Sequence, residues 1–118
     1  MSTQDVAEGF IALCREGRLE EAGERWWADD VVSVEPRLSD GERISGKTEV
    51  TAKGSRWFAG NELHSIEVEG PWLNRDQFIM RFRMDFTNRM TGERRFVDEM
   101  ALLTVTNGRI SEERFFLP

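Results

Sequence analysis

The stretch Gln77–Thr87, QFIMRFRMDFT, alternates without a break: Phe78, Met80, Phe82, Met84 and Phe86 share one parity, while Arg81, Arg83 and Asp85 share the other. Successive side chains of an extended chain point to opposite faces, so this pattern predicts a long strand with one face buried. An apolar face of that length needs a second layer to cover it. Downstream, Thr91-Gly92 supplies a turn, Phe96 to Thr106 a further strand, Asn107-Gly108 a tight hairpin turn and Arg109 to Phe116 a last strand. Upstream, from Leu63, Ile66 and Val68 alternate against Glu67 and Glu69, and Pro71 and Asn74 mark a turn region.

The covering layer is found nearer the amino terminus. Thr3, Gln4 and Asp5 form a helix start, after which Val6, Phe10, Leu13 and Cys14 recur at helical spacing until Gly17. Leu19 to Trp27 keeps the same period, with Leu19, Ala22 and Trp26 on one side, and Asp29-Asp30 is expected to end it. Val31 to Glu35, VVSVE, reads as a short strand stopped by Pro36, and Arg37 to Gly46 as a loop. Lys47 to Phe58 returns to helical composition, with Val50, Gly54, Trp57 and Phe58 as its expected buried set. Helices first and an antiparallel meander last define an α+β fold and exclude a parallel α/β sheet.

Composition narrows the function classes. The 118 residues suit one domain, residues 1–118, with no linker or repeat. No apolar run approaches the ~20 residues of a membrane span. The amino terminus lacks the basic and apolar regions of a secretory signal, and the single Cys14 allows no intrachain disulfide, so a cytoplasmic location is expected. Acidic residues exceed basic ones by 22 to 16, a balance that repels nucleic acid unless the bases cluster. Arg94 and Arg95, with Arg89 nearby, read as a solvated hairpin tip, and no nucleic-acid partner is expected. One histidine and one cysteine show no ligand spacing, so neither a metal nor another cofactor is expected.

Three pieces of the chain carry a family resemblance: Ala28-Asp29-Asp30-Val31 leading to Glu35-Pro36, the helix start at Gly46-Lys47, and the strand-turn-strand around Asn107-Gly108-Arg109-Ile110. Over essentially its whole length the sequence resembles the SnoaL-like branch of the cystatin-like cone fold, the superfamily of nuclear transport factor 2 and ketosteroid isomerase. The resemblance implies a curved antiparallel sheet wrapped around about three N-terminal helices, with an apolar pocket for a small apolar molecule. It does not choose a reaction, because the superfamily holds isomerases, polyketide cyclases, epoxide hydrolases, dehydratases and members without assigned activity. Set against the isomerase site, only its base has a counterpart, in Glu35. The tyrosine position falls on Phe10, the second acid near Ala101, and the chain contains no tyrosine. Each lost oxyanion donor costs ~2.7 to 4 kcal/mol of transition-state stabilisation, which argues against authentic ketosteroid isomerisation.

Three readings stay open: a proton-transfer enzyme on an apolar substrate, a non-catalytic binder of an apolar metabolite, and a ligand-free dimeric interaction module. For the first, the candidate catalytic residues are Glu35, Glu99 and His64. Glu99 shares the parity of Ala101, Leu103 and Val105, which directs it into the cone. Two carboxylates in one apolar cavity raise the pKa of at least one of them, a common route to a general acid and base. Alternatively, Glu99 pairs with Arg81, Arg83 or Arg114 on a neighbouring strand. His64 has the parity of Ile66 and Val68 and is either a pocket residue or a rim histidine. Phe10, Trp57, Phe82 and Leu103 are the expected substrate-binding wall, since aromatic side chains commonly line small-molecule sites. On the other face of Phe96 to Thr106, Met100 and Leu102 join Ile79 of the neighbouring strand as an apolar patch, which predicts a homodimer through the outer sheet face.

Overall fold

A computed structural model describes residues 1–35 and 42–116. Three helices, α1 (Thr3–Arg15), α2 (Leu19–Trp26) and α3 (Lys47–Gly60), pack against one sheet built from β1 (Trp27–Glu35), β2 (Glu42–Ser45), β3 (Asn61–Asn74), β4 (Gln77–Asn88), β5 (Arg94–Thr106) and β6 (Arg109–Phe115). The strand order is β2-β1-β6-β5-β4-β3. All neighbours are antiparallel except β1 and β6, which run parallel and join the first strand to the last. The sheet is curved and unclosed, and the fold is the α+β cone. Among the described residues, no helix is long and apolar enough to cross a membrane.

The elements form where local chemistry favours them. Ser2 caps α1: its Oγ accepts from Asp5 N at 3.1 Å and Asp5 Oδ2 accepts from Ser2 N at 3.2 Å, so two otherwise unpaired donors are satisfied reciprocally. The helix begins at Thr3, as expected, with Ser2 as its cap. Val6, Phe10, Ile11 and Cys14 of α1 face the sheet and meet Phe78, Met80 and Phe82 of β4 in one core. Full burial of side chains such as Phe78 and Ile11 contributes roughly 1.5–3 kcal/mol each. The β5–β6 turn places Asn107 and Gly108 at φ 52° and 76°, the paired positive values of a type I′ hairpin.

Several expectations need correction. Strand β1 begins at Trp27, so Asp29 and Asp30 lie within it, where its register against β6 shifts between Trp27 and Val32. Part of the expected loop is strand, since Glu42–Ser45 pairs with Val32–Glu35; positions 37–41 of that loop, and the expected stop at Pro36, lie outside the described residues. Pro71 does not end β3. It sits on the sheet edge, where a missing N–H is tolerated, and the register slips between Glu69 and Trp72 before pairing resumes. Gly70 is required at that slip, because its φ is 120° and a Cβ there would lie 3.0 Å from the Ile79 carbonyl oxygen.

Candidate functional site

Alternate residues of β1 place Val31, Ser33 and Glu35 on the face that α3 covers. From that helix Lys53 reaches across to them. Its Nζ donates to Ser33 Oγ at 2.7 Å and to Glu35 Oε1 at 2.9 Å. The pair is half-shielded, with the Lys53 side chain 25% and the Glu35 side chain 34% exposed. Beneath it lies Glu113 of β6, only 5% exposed and in direct register with Ser33 and Leu103.

A carboxyl in that position is hard to ionise. Burial raises the Glu113 pKa above the usual carboxylate value, and the Lys53 ammonium pulls it partly back. The neighbouring Ser33 hydroxyl and Trp27 indole act in the same sense as Lys53, while Glu35 pushes the other way. Trp27 Nε1 is buried and makes no hydrogen bond of ordinary geometry among the described residues, so its effect is that of a nearby dipole. The cluster thus sets a partly exposed carboxylate, an ammonium, a hydroxyl and a buried carboxyl side by side.

Aromatic side chains continue the same face. The Lys53 ammonium lies 5.3 Å from the centre of the Phe115 ring, and Phe115 meets Phe82 edge to face at 6.1 Å. Glu99, partly buried, is directly across from Phe82 in the register. Trp57 packs edge-on against Phe86, with ring centres 5.0 Å apart. Phe10 and Leu103 are buried members of the core. Arg81, Arg83 and Arg114, the alternative partners of Glu99, make ion pairs with Asp98, Glu67, Glu69 and Glu112. These lie on the outer face of the sheet, opposite the face that carries Glu99.

His64 is placed elsewhere. The β3–β4 register shifts between Leu63 and Ser65, which breaks the parity with Ile66 and Val68. Its Nε2 lies 2.7 Å from Thr87 Oγ1 on exposed surface, and it lines an open groove of about 550 Å³ with Arg15, Phe58 and Leu63. Among the described residues, no group of three or more His, Cys, Asp or Glu side chains is arranged to hold a metal.

Sequence reasoning missed Ser33, Lys53 and Glu113. Lys53 did carry a signal, because it lies three residues after Val50 and four before Trp57, inside the expected apolar stripe of its helix. Glu113 was hidden by a bulge. Val105 pairs with Ile110 but Thr104 pairs with Glu112, so the extra residue Ser111 reverses the parity of β6 and turns Glu113 inward.

The comparisons with known proteins agree with this architecture. A family model for the SnoaL-like domain matches residues 1–117. The chain therefore belongs to the SnoaL-like domain family. A solved protein from Mesorhizobium loti, described as a candidate SnoaL-like polyketide cyclase, is 40% identical with a TM-score of 0.93, and the match covers 98% of this chain and 99% of that one. A candidate SnoaL-like polyketide cyclase from Jannaschia is 19% identical with a TM-score of 0.79, over 98% of this chain and 85% of that one. An epoxide hydrolase of the LEH type from Mycobacterium tuberculosis is 13% identical with a TM-score of 0.74, over 98% and 82% of the two chains. The last two likenesses show the fold alone. No functionally curated protein matches the sequence significantly.

Proposed function

We propose that this domain binds a small apolar molecule at the mouth of the cone and moves a proton on it, with Glu35 as the base. One observation carries the reading: Glu35 stands 2.9 Å from a half-shielded lysine, over a buried carboxyl and beside the Phe115–Phe82 wall. A site that combines an apolar wall with a few convergent polar groups is the usual design for a small ligand. The reaction class is isomerisation, cyclisation or dehydration of a ring-containing or carbonyl compound. The Mesorhizobium loti relative supports a small-molecule substrate without choosing among reactions, since its description pairs polyketide cyclase with carbohydrate phosphatase. Glu99, across from Phe82, is the candidate second acid of this pocket. His64, at the sheet edge beside Thr87, is given no part in the chemistry.

The working unit in this proposal is a homodimer joined through the outer sheet face, in the cytoplasm. Cys14, buried with its thiol pushed up to about 12 by that burial, takes no catalytic role.

The test requires no natural substrate. Exchange of the acidic C–H protons of 2-tetralone in deuterated buffer, followed by NMR, is expected to be accelerated by the wild-type chain. Glu35→Gln is expected to lower the acceleration by about 10²-fold or more, the usual contribution of a positioned general base. Exchange that is unchanged in Glu35→Gln removes Glu35 as the base.

A further inference from the structure

The sequence lacks the tyrosine and aspartic acid that serve as oxyanion donors in the isomerase pattern, and a base alone generates an enolate with nothing to hold its charge. We propose that Lys53 fills that role: its ammonium binds the carbonyl oxygen of the substrate while Glu35 removes a proton from the adjacent carbon. The substrate class that follows is a ring compound bearing a carbonyl group next to an acidic C–H. This rests on the pocket reading above and adds to it the group that the ligand must present.

The geometry supports the assignment in three respects. Lysine has three N–H donors, and among the described residues two of them are used, on Ser33 Oγ at 2.7 Å and Glu35 Oε1 at 2.9 Å. The ammonium also stands against the aromatic wall, 5.3 Å from the Phe115 ring centre, so a ring lying on that wall carries its oxygen within reach. Finally, the base and the cation are immediate neighbours. A carbonyl oxygen and the proton on the adjacent carbon are close together, and a site that acts on both must pair its two groups in this way. Ser33, itself 1% exposed, gives the lysine a second, buried acceptor besides Glu35.

The step balances without a co-reactant. The C–H electron pair forms the carbon–carbon double bond of the enolate, the carbonyl π pair moves to oxygen beside Lys53, and the proton rests on Glu35. Return of that proton to the same or a conjugated carbon restores both groups. Nothing is oxidised or reduced. Removal of such a donor typically lowers the rate 10²- to 10³-fold.

The experiment titrates the full chain with 2-naphthol, whose ionised form has its own absorption band and imitates an enolate on a ring, and with naphthalene, which has the ring and no oxygen. Wild-type protein is expected to ionise bound 2-naphthol at lower pH than free 2-naphthol. Lys53→Met is expected to bind naphthalene as wild type does and to lose the bound naphtholate at least tenfold, while Lys53→Arg retains it. Should Lys53→Met not fold, Lys53→Gln, which keeps a polar side chain and removes the charge, makes the same comparison. The proposal is overturned if bound 2-naphthol ionises as it does in water, a measurement that needs only wild type, or if its shift survives loss of the lysine; Lys53 is then a structural partner of Glu35. If naphthalene and 2-naphthol both fail to bind, the pocket reading falls and the donor falls with it.

Discussion

Glu113 is a carboxyl that folding withdraws almost wholly from water, and its pKa in the folded chain is raised, with burial as the largest cause. A group raised in this way has a definite effect on stability. Below the ordinary carboxylate pKa the folded and unfolded chains both hold the proton, and Glu113 adds no pH dependence. As pH climbs through that ordinary value, the unfolded chain releases its proton first, and stability falls until the folded-state pKa is passed. Asp85 and Asp98 act in the opposite sense, because their arginine partners hold them low. A comparison with Glu113→Gln isolates the one residue. In urea denaturation at pH 4, 5, 6 and 7.5, the difference in stability between variant and wild type is expected to move in the variant's favour as pH rises. A difference that stays flat across that range refutes the assignment.

At the scale of elements, two helical glycines make opposite predictions. Gly54 of α3 has nothing within 4 Å of where a Cβ would stand, so Gly54→Ala is expected to stabilise the chain by about 0.5–1 kcal/mol through helix propensity alone. Gly9 of α1 lies against the Trp26 ring, and a Cβ there overlaps it. Gly9→Ala gains the same propensity but forces the indole aside, with an expected net loss of about 1–2 kcal/mol. Thermal melts of the two variants check both signs. The elements also show what the sequence could disclose. The alternation of Gln77–Thr87, the helical spacing of Val6, Phe10 and Cys14, and Asn107-Gly108 are local signals, and local geometry kept them legible. Glu35 was singled out by the family resemblance, through its place before Pro36, and the structure shows it paired with Lys53. The placements of Glu113 and His64 were not legible, because each lies at or beyond a register shift, which is a property of two strands together and leaves no mark in the period of one. Lys53 escaped for a different reason: a helix read for its apolar residues gives a cation on the same stripe no assigned part.

Taken as a whole, the molecule leaves one sheet face partly apolar. Trp72, Ile79 and Leu102 stand in one row across β3, β4 and β5 by register, and Met100 lies in the row beside them. Trp72 is 49% and Met100 41% exposed. Arg81 pairs with Asp98 at this patch, and Arg83 pairs with Glu67, Glu69 and Asp98. Apolar residues ringed by charges of both signs can complement themselves across a two-fold axis. Light scattering is expected to give about twice the 13.7 kDa chain mass, and Leu102→Glu to shift it to monomer. A monomeric wild type rejects the interface. The parallel pairing of β1 with β6 has a consequence of another kind, in the order in which the ribosome delivers the chain. Ser33 and Glu35 emerge well before Glu113 and Phe115, which must enter between β1 and β5. A nascent chain halted before residue 109 therefore lacks a central strand, exposes two raw edges where that strand belongs, and holds half of a site that closes only when β6 arrives.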